Sequence, residues 1–252
     1  MKNRLLFISL FTLACSMMAC EKNDDGQQLT IVKGSGDISD EIDAFRMLLG
    51  DPLNNSTGVN GGRREINWDG VADDLVGQPL PSRLFNPTGP NAPVGMQRGL
   101  AYISGGAFQV SNVNFSNINE HAGSELVPYS GSKVFANISA NDWEIEFEVP
   151  GQQVGAAVRG FGAVFTDVDL ENSVSLEFFN QNESLGKYFV PTRTDDHPFS
   201  FFGLHIKKGG KITRVLVSHP AKISDGRIDV SNGGTDDLLA LDDFFYDEPV
   251  AR

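Results

Sequence analysis

The chain has 252 residues with 33 acidic against 20 basic side chains, for a formal net charge of −13. So acidic a surface argues against nucleic acid as a partner, because phosphate contacts need a basic face, and it favours divalent cations instead. The only two cysteines, Cys15 and Cys20, fall near the N-terminus, so a thiol nucleophile or a cysteine-built metal site in the folded part is excluded.

The first residues read as an export signal. Lys2 and Arg4 precede the apolar run Leu5–Leu13 (LLFISLFTL), which is shorter than the roughly 20 residues that span a bilayer. The run ends in Met17-Met18-Ala19-Cys20. A small residue before a cysteine resembles the lipobox of bacterial lipoproteins. That resemblance implies lipidation of Cys20, removal of residues 1–19, and attachment to a membrane without a transmembrane helix. Loss of Lys2 and Arg4 takes the charge from −13 to −15. The polar stretch Glu21-Lys22-Asn23-Asp24-Asp25-Gly26 resembles the acid-and-lysine export signal of Bacteroidetes surface lipoproteins, which implies the outer membrane or the cell surface as the address. Residues 20–37 are expected to form a flexible tether and residues 38–252 a single domain.

Along that domain, Ile38, Ile42, Phe45, Leu48 and Leu49 share one face at helical spacing. Asp37 or Ser39 suits the start of this helix, and Gly50-Asp51-Pro52 suits its end. Residues 53–62 are a loop of Asn and Gly, and residues 77–95 carry five prolines and read as extended loop. From residue 99 onward the pattern is short strands. The clearest is Asp142–Val149, where Trp143, Ile145, Phe147 and Val149 alternate with Asp142, Glu144, Glu146 and Glu148. Strands are also expected at 161–167, 173–179 and 187–190. Two more, at 199–208 and 211–219, look like a hairpin joined by Gly209-Gly210. Asp225-Gly226 is expected to open a further strand, and residues 238–246 to form the last. The fold class expected is therefore mainly β: an antiparallel β-sandwich with jelly-roll connectivity and one short N-terminal helix.

Several runs carry a resemblance. They are GRREINWDGV (Gly62–Val71), GFGAVFTDVD (Gly160–Asp169), SFFGL (Ser200–Leu204) and DDFFYDEP (Asp242–Pro249). Together they are similar to a family of secreted bacterial proteins of unassigned activity, some of which carry a C-terminal sorting tail. The resemblance implies one secreted β domain and no particular substrate.

Asp167, Asp169 and Glu171 place oxygen ligands at alternate positions of a loop, a pattern that suits Ca²⁺. The Gly and Glu that an EF-hand needs at its sixth and twelfth positions are replaced by Asn172 and Phe178, so that motif is rejected. Asp167 and Asp169 remain the candidate calcium ligands. Trp68, between Asn67 and Asp69, is the candidate sugar-stacking residue. Asp242 and Asp243 are read as buried carboxylates held by Arg63 or Arg64. The four histidines lack zinc-ligand spacing, and no nucleophile elbow is present. The function expected is a non-catalytic, lipid-anchored surface module for a glycan or protein ligand, with Ca²⁺ as the candidate stabilising ion. The alternatives are a polysaccharide-acting enzyme with a carboxylate pair and a purely structural envelope protein.

Overall fold

The computed structural model describes residues 17–22, 28–103, 106–208, 210–224 and 226–252, with no side-chain account of residues 17–22 or of residue 103. The signal-sequence residues before Met17 and most of the acidic stretch lie outside the described residues.

The chain forms strands β1 (Met17–Lys22) and β2 (Gln28–Ser35), then helix α1 (Ser39–Leu49) and β3 (Arg63–Ile66). After a loop with short 3₁₀ turns come β4 (Leu100–Ile103), β5 (Phe108–Ser111), the one-turn helix α2 (Ala122–Glu125), β6 (Val134–Asn137) and β7 (Asp142–Phe147). The remainder is all strand and loop: β8 (Ala156–Ala157), β9 (Gly160–Thr166), β10 (Ser175–Asn180), β11 (Glu183–Phe189), β12 (Phe199–Ile206), β13 (Arg214–Ser218), β14 (Ala240–Asp247) and β15 (Val250–Ala251).

Two antiparallel sheets result. The larger runs β1-β2-β12-β9-β14-β6-β5, with β3 also on β14, and the smaller runs β11-β10-β13-β7-β4. Their inner faces pack together through aromatic rings. Phe135 of the larger sheet lies 5.6 Å from Trp143 of the smaller, and Phe147 lies 6.0 Å from Phe161. This is a mainly β sandwich, as the strand spacing predicts. The strand order does not by itself establish the jelly-roll connectivity.

Helix α1 covers the outer face of the larger sheet. Its buried residues Ile42, Phe45 and Leu49 recur at the predicted spacing, and Asp37 Oδ1 accepts the Ser39 amide at 3.2 Å. Phe45 lies over Gly162 and Gly203, which are cross-strand partners. A Cβ at Gly162 would meet Phe45 at 2.8 Å, and one at Gly203 would meet it at 2.7 Å. The glycines of GFGAVF and SFFGL are therefore seats for a helix ring.

Four expectations need correction. Residues 28–35 are a strand, with Leu29, Ile31 and Val32 buried; the acidity of residues 21–26 does not extend to them. Gly209-Gly210 does not close a hairpin, because β12 pairs with β2 and β9 while β13 pairs with β10 and β7. The chain instead passes from the larger sheet to the smaller between β12 and β13. No strand follows Asp225-Gly226; Gly226–Leu239 is loop with a 3₁₀ turn at Val230–Asn232. The alternation expected over Asp142–Val149 holds through Phe147, where β7 ends; Glu148 is buried, with Arg83 at 2.8 Å and Asn86 Nδ2 at 3.0 Å.

Candidate functional site

Strand β9 ends at Thr166, and Asp167 turns the chain with a left-handed backbone (φ 69°). Its amide donates to Pro198 O at 2.8 Å, and Arg193 N donates to Val168 O at 2.7 Å. The loop after β9 is therefore strapped to the loop before β12. A third segment joins from far along the chain. Asp237 accepts the amides of Asp169 and Leu170, each at 3.1 Å, and so ties the Gly226–Leu239 loop to the first. Within that loop Asp229 is held rigidly: Oδ1 accepts from Ser231 N at 3.0 Å and Ser231 Oγ at 2.9 Å, and Oδ2 from Leu238 N at 2.6 Å.

The result is a three-carboxylate cluster. One oxygen each from Asp167, Asp169 and Asp229 lies within 4.8 Å of the others. Arg193 Nε sits 2.5 Å from Asp169 Oδ1 and 3.0 Å from Asp167 Oδ1, the second contact lacking hydrogen-bond geometry. A single guanidinium leaves much unmet. Asp167 is fully buried, and neither of its carboxylate oxygens has a hydrogen-bond partner among the described residues. Buried carboxylate oxygens left in this state are costly. Burial, followed by the charges of Asp229 and Asp169, pushes the Asp167 carboxyl up to about 8, against the opposing pull of Arg193. Burial and a hydrogen bond shared with Asp169 raise Asp229, and burial raises Asp237.

Three carboxylates and one guanidinium leave two negative charges when all are ionised, which is the charge of one divalent cation. Oxygens up to 4.8 Å apart can lie on a shell of about 2.3–2.6 Å radius around a shared Ca²⁺. Hard oxygen donors and unpaired, buried oxygens fit that ion. The cluster brings together the two ligands expected from sequence and adds Asp229, which no local spacing announces.

Next to the cluster, the same loop lines a surface groove of about 250 Å³ with Glu171, Asn172, Lys33, Phe189 and Thr192 among its walls. Phe189 leaves 40% of its surface exposed at the end of β11, and Lys187 Nζ lies 5.8 Å from its ring centre.

Trp68 lies elsewhere. It is 0% exposed, stacks on Phe135 at 3.9 Å and 5°, and donates Nε1–H to Asp242 O at 3.0 Å. A ring with no exposed face cannot stack on a sugar, so the expected ligand-binding role is corrected to a core anchor. Cys20 lies in β1, its backbone paired with Thr30; its side chain is outside the described residues.

Asp242 and Asp243 form a second buried carboxylate group, but Arg63 and Arg64 do not hold them. They occupy an irregularity in the β9–β14 register. Asp242 Oδ2 accepts the amides of Tyr129 (2.6 Å) and Ser130 (3.0 Å), and Asp243 accepts Ser130 Oγ at 3.0 Å. Asp69 takes Ser132 N and Oγ at 2.8 and 2.9 Å. These three acids clamp one loop. Burial and the Asp243 charge push Asp242 up to about 8. Arg64 instead meets Glu248 at 2.7 and 2.8 Å, with both side chains buried.

Compared with protein-family models, curated proteins and solved structures, the chain matches none of them.

Proposed function

We propose that the protein is a lipid-anchored, non-catalytic glycan-binding module of the cell envelope, whose ligand groove is ordered by a calcium ion. The observation that carries this reading is the sharing of one loop. Asp167 and Asp169 enter the carboxylate cluster, and Glu171 and Asn172, directly after them, line the groove beside exposed Phe189. An aromatic face flanked by an amide, a carboxylate, a hydroxyl and an ammonium is the chemistry that grips a pyranose: the ring covers C–H groups and the polar atoms take hydroxyls. The cation would neutralise the cluster and fix the loop, so that Asn172 and Glu171 are presented without an ordering cost at binding. The non-catalytic reading is supported by the enclosure of Asp167 and Asp229, which puts this acid pair out of reach of a polymer. Anchoring rests on the lipobox resemblance at Cys20.

The test is retention of the processed chain on a broad panel of immobilised glycans, in calcium and in chelator. The reading predicts retention on one glycan class, lost in chelator and in Phe189→Ala. Equal absence of retention in both buffers would refute it.

A further inference from the structure

The chain is strongly acidic, yet one end of the larger sheet is basic. Lys207 and Lys208 follow directly on β12, and Lys211 follows the crossing to the other sheet; all three are exposed. None of them forms an ion pair with a described residue. Arg159, 57% exposed in its side chain, joins them: its carbonyl accepts the Ile206 amide at 2.7 Å, and it lines a cavity of about 230 Å³ together with Lys211. The acid within this cavity is Asp247, which is buried, accepts the amides of Arg159 and Gly160 at 2.7 and 2.8 Å, and meets the Arg159 side chain at 3.4 Å, so the unpaired charge of this end rests on the three lysines. His205 lies beneath, with burial and the charges of Arg159 and Lys207 holding it down at about 4, so it is neutral and adds nothing.

This is also the end at which the anchor joins the fold. Gln28, the first residue of β2, accepts the Lys207 amide through its carbonyl at 2.9 Å. One backbone row runs from Cys20 to Thr30 to His205 to Gly160, so the cysteine expected to carry lipid lies on the edge strand two residues from the row of Lys207, with β2 and β12 between it and β9. Once Cys20-Glu21-Lys22 is released from the sheet, the tether departs from Gln28, at this end.

We propose that this basic end lies against the phosphate headgroups of the membrane to which the chain is tethered, as a second anchor that sets the orientation of the domain. The proposal rests on the lipid-anchor reading for its geometry. Screening makes it compatible with the overall charge. At physiological salt the Debye length is about 8 Å, so the membrane responds to the near face and little to acids at the far end. Glu21, Asp24 and Asp25 outnumber Lys22 in the tether, so the attraction must come from the folded end. Each basic side chain near an anionic surface strengthens binding by about fivefold. An oriented domain would carry its far end, and any ligand met there, away from the bilayer.

The test uses the processed, unacylated chain (residues 20–252), so that lipid cannot contribute, with vesicles of phosphatidylcholine alone or with phosphatidylglycerol added. The proposal predicts binding only to the anionic vesicles, weakening with salt. The triple variant Lys207→Glu, Lys208→Glu, Lys211→Glu should lose at least tenfold, the matching triple Arg variant should bind as the parent does, and Lys187→Glu on β11 should change binding less than twofold. Absence of anionic selectivity, or a triple Glu variant that binds as well as the parent, would overturn it. Acyl labelling at Cys20 in cells is read separately: its absence would remove the lipid anchor without altering the vesicle result.

Discussion

Two of the groups of buried charge among the described residues are built in opposite ways. Arg64 and Glu248 form a closed set: two Arg–carboxylate bonds, Asn54 on the same carboxylate at 2.8 Å, and the carbonyls of Ser56 and Gln97 on two of the three remaining guanidinium hydrogens. Asp167, Asp169 and Asp229 form an open one, with more carboxylate oxygens than protein donors. The contrast separates two meanings of buried charge. A closed network holds a fold and needs nothing further. An open one must take up protons or a cation, and it responds to both.

The largest effects should come from breaking the closed set and the core. Glu248→Ala leaves the buried Arg64 without a counter-charge and should cost about 3–5 kcal/mol. At roughly 2–4 °C per kcal/mol for a domain of this size, the melting temperature should fall by on the order of 10 °C, equally in calcium and in chelator. Trp68→Ala should cost a similar ~3–5 kcal/mol through the cavity it leaves beside Phe135, Phe85 and Phe244, again independent of calcium.

The open cluster should respond next. Calcium at a hundred times its dissociation constant should stabilise the parent by about 2.7 kcal/mol. Asp167→Asn should melt at the same temperature with or without the ion, as calorimetric scans in calcium and in chelator would report.

A graded effect should follow pH. Asp167 and Asp242, both pushed up to about 8 in the fold, bind protons there that the unfolded chain has already released. Stability should therefore fall as pH rises from 6.5 through 8, a window above the depressed histidines, at up to about 1.4 kcal/mol per pH unit for each group. In chelator, Asp167→Asn should remove about half of that slope. Calcium should flatten the Asp167 share and leave that of Asp242, because its loop clamp has no place in the cluster. Melting curves across this window in both buffers decide the matter.

The smallest stability change is expected of Phe189→Ala. An exposed ring at the end of β11 should shift stability by no more than about 0.5 kcal/mol while abolishing glycan retention. That outcome would contrast with Trp68, whose loss harms the fold.

The sequence disclosed these regions unevenly, and for physical reasons. The alternation of β7 and the helical spacing of α1 are local periodicities that burial enforces, and both are present as read. Asp167 and Asp169 were legible because the two ligands share one loop. Asp229 and Arg193 were not, since sheet topology alone brings their loops together. Trp68 carries no mark of its burial: its polar neighbours Asn67 and Asp69 are what a 3₁₀ turn capped by Asn67 requires, and the turn aims the ring inward. Gly209-Gly210 has the composition of a hairpin turn, yet the strands on either side of it belong to different sheets, a matter of topology that local composition does not carry. Leu29, Ile31 and Val32 signalled a strand, but they stand right behind an acidic stretch whose composition dominates the window.

The central claim is that the open carboxylate cluster holds a divalent cation. Isothermal titration of Ca²⁺ into the chelator-treated, processed chain tests it most directly. The account predicts one saturable site, lost in Asp167→Asn and retained in Glu171→Gln, whose side chain lines the groove outside the cluster. A parent protein that takes up no calcium at millimolar concentration, or an Asp167→Asn variant that binds as the parent does, would contradict it.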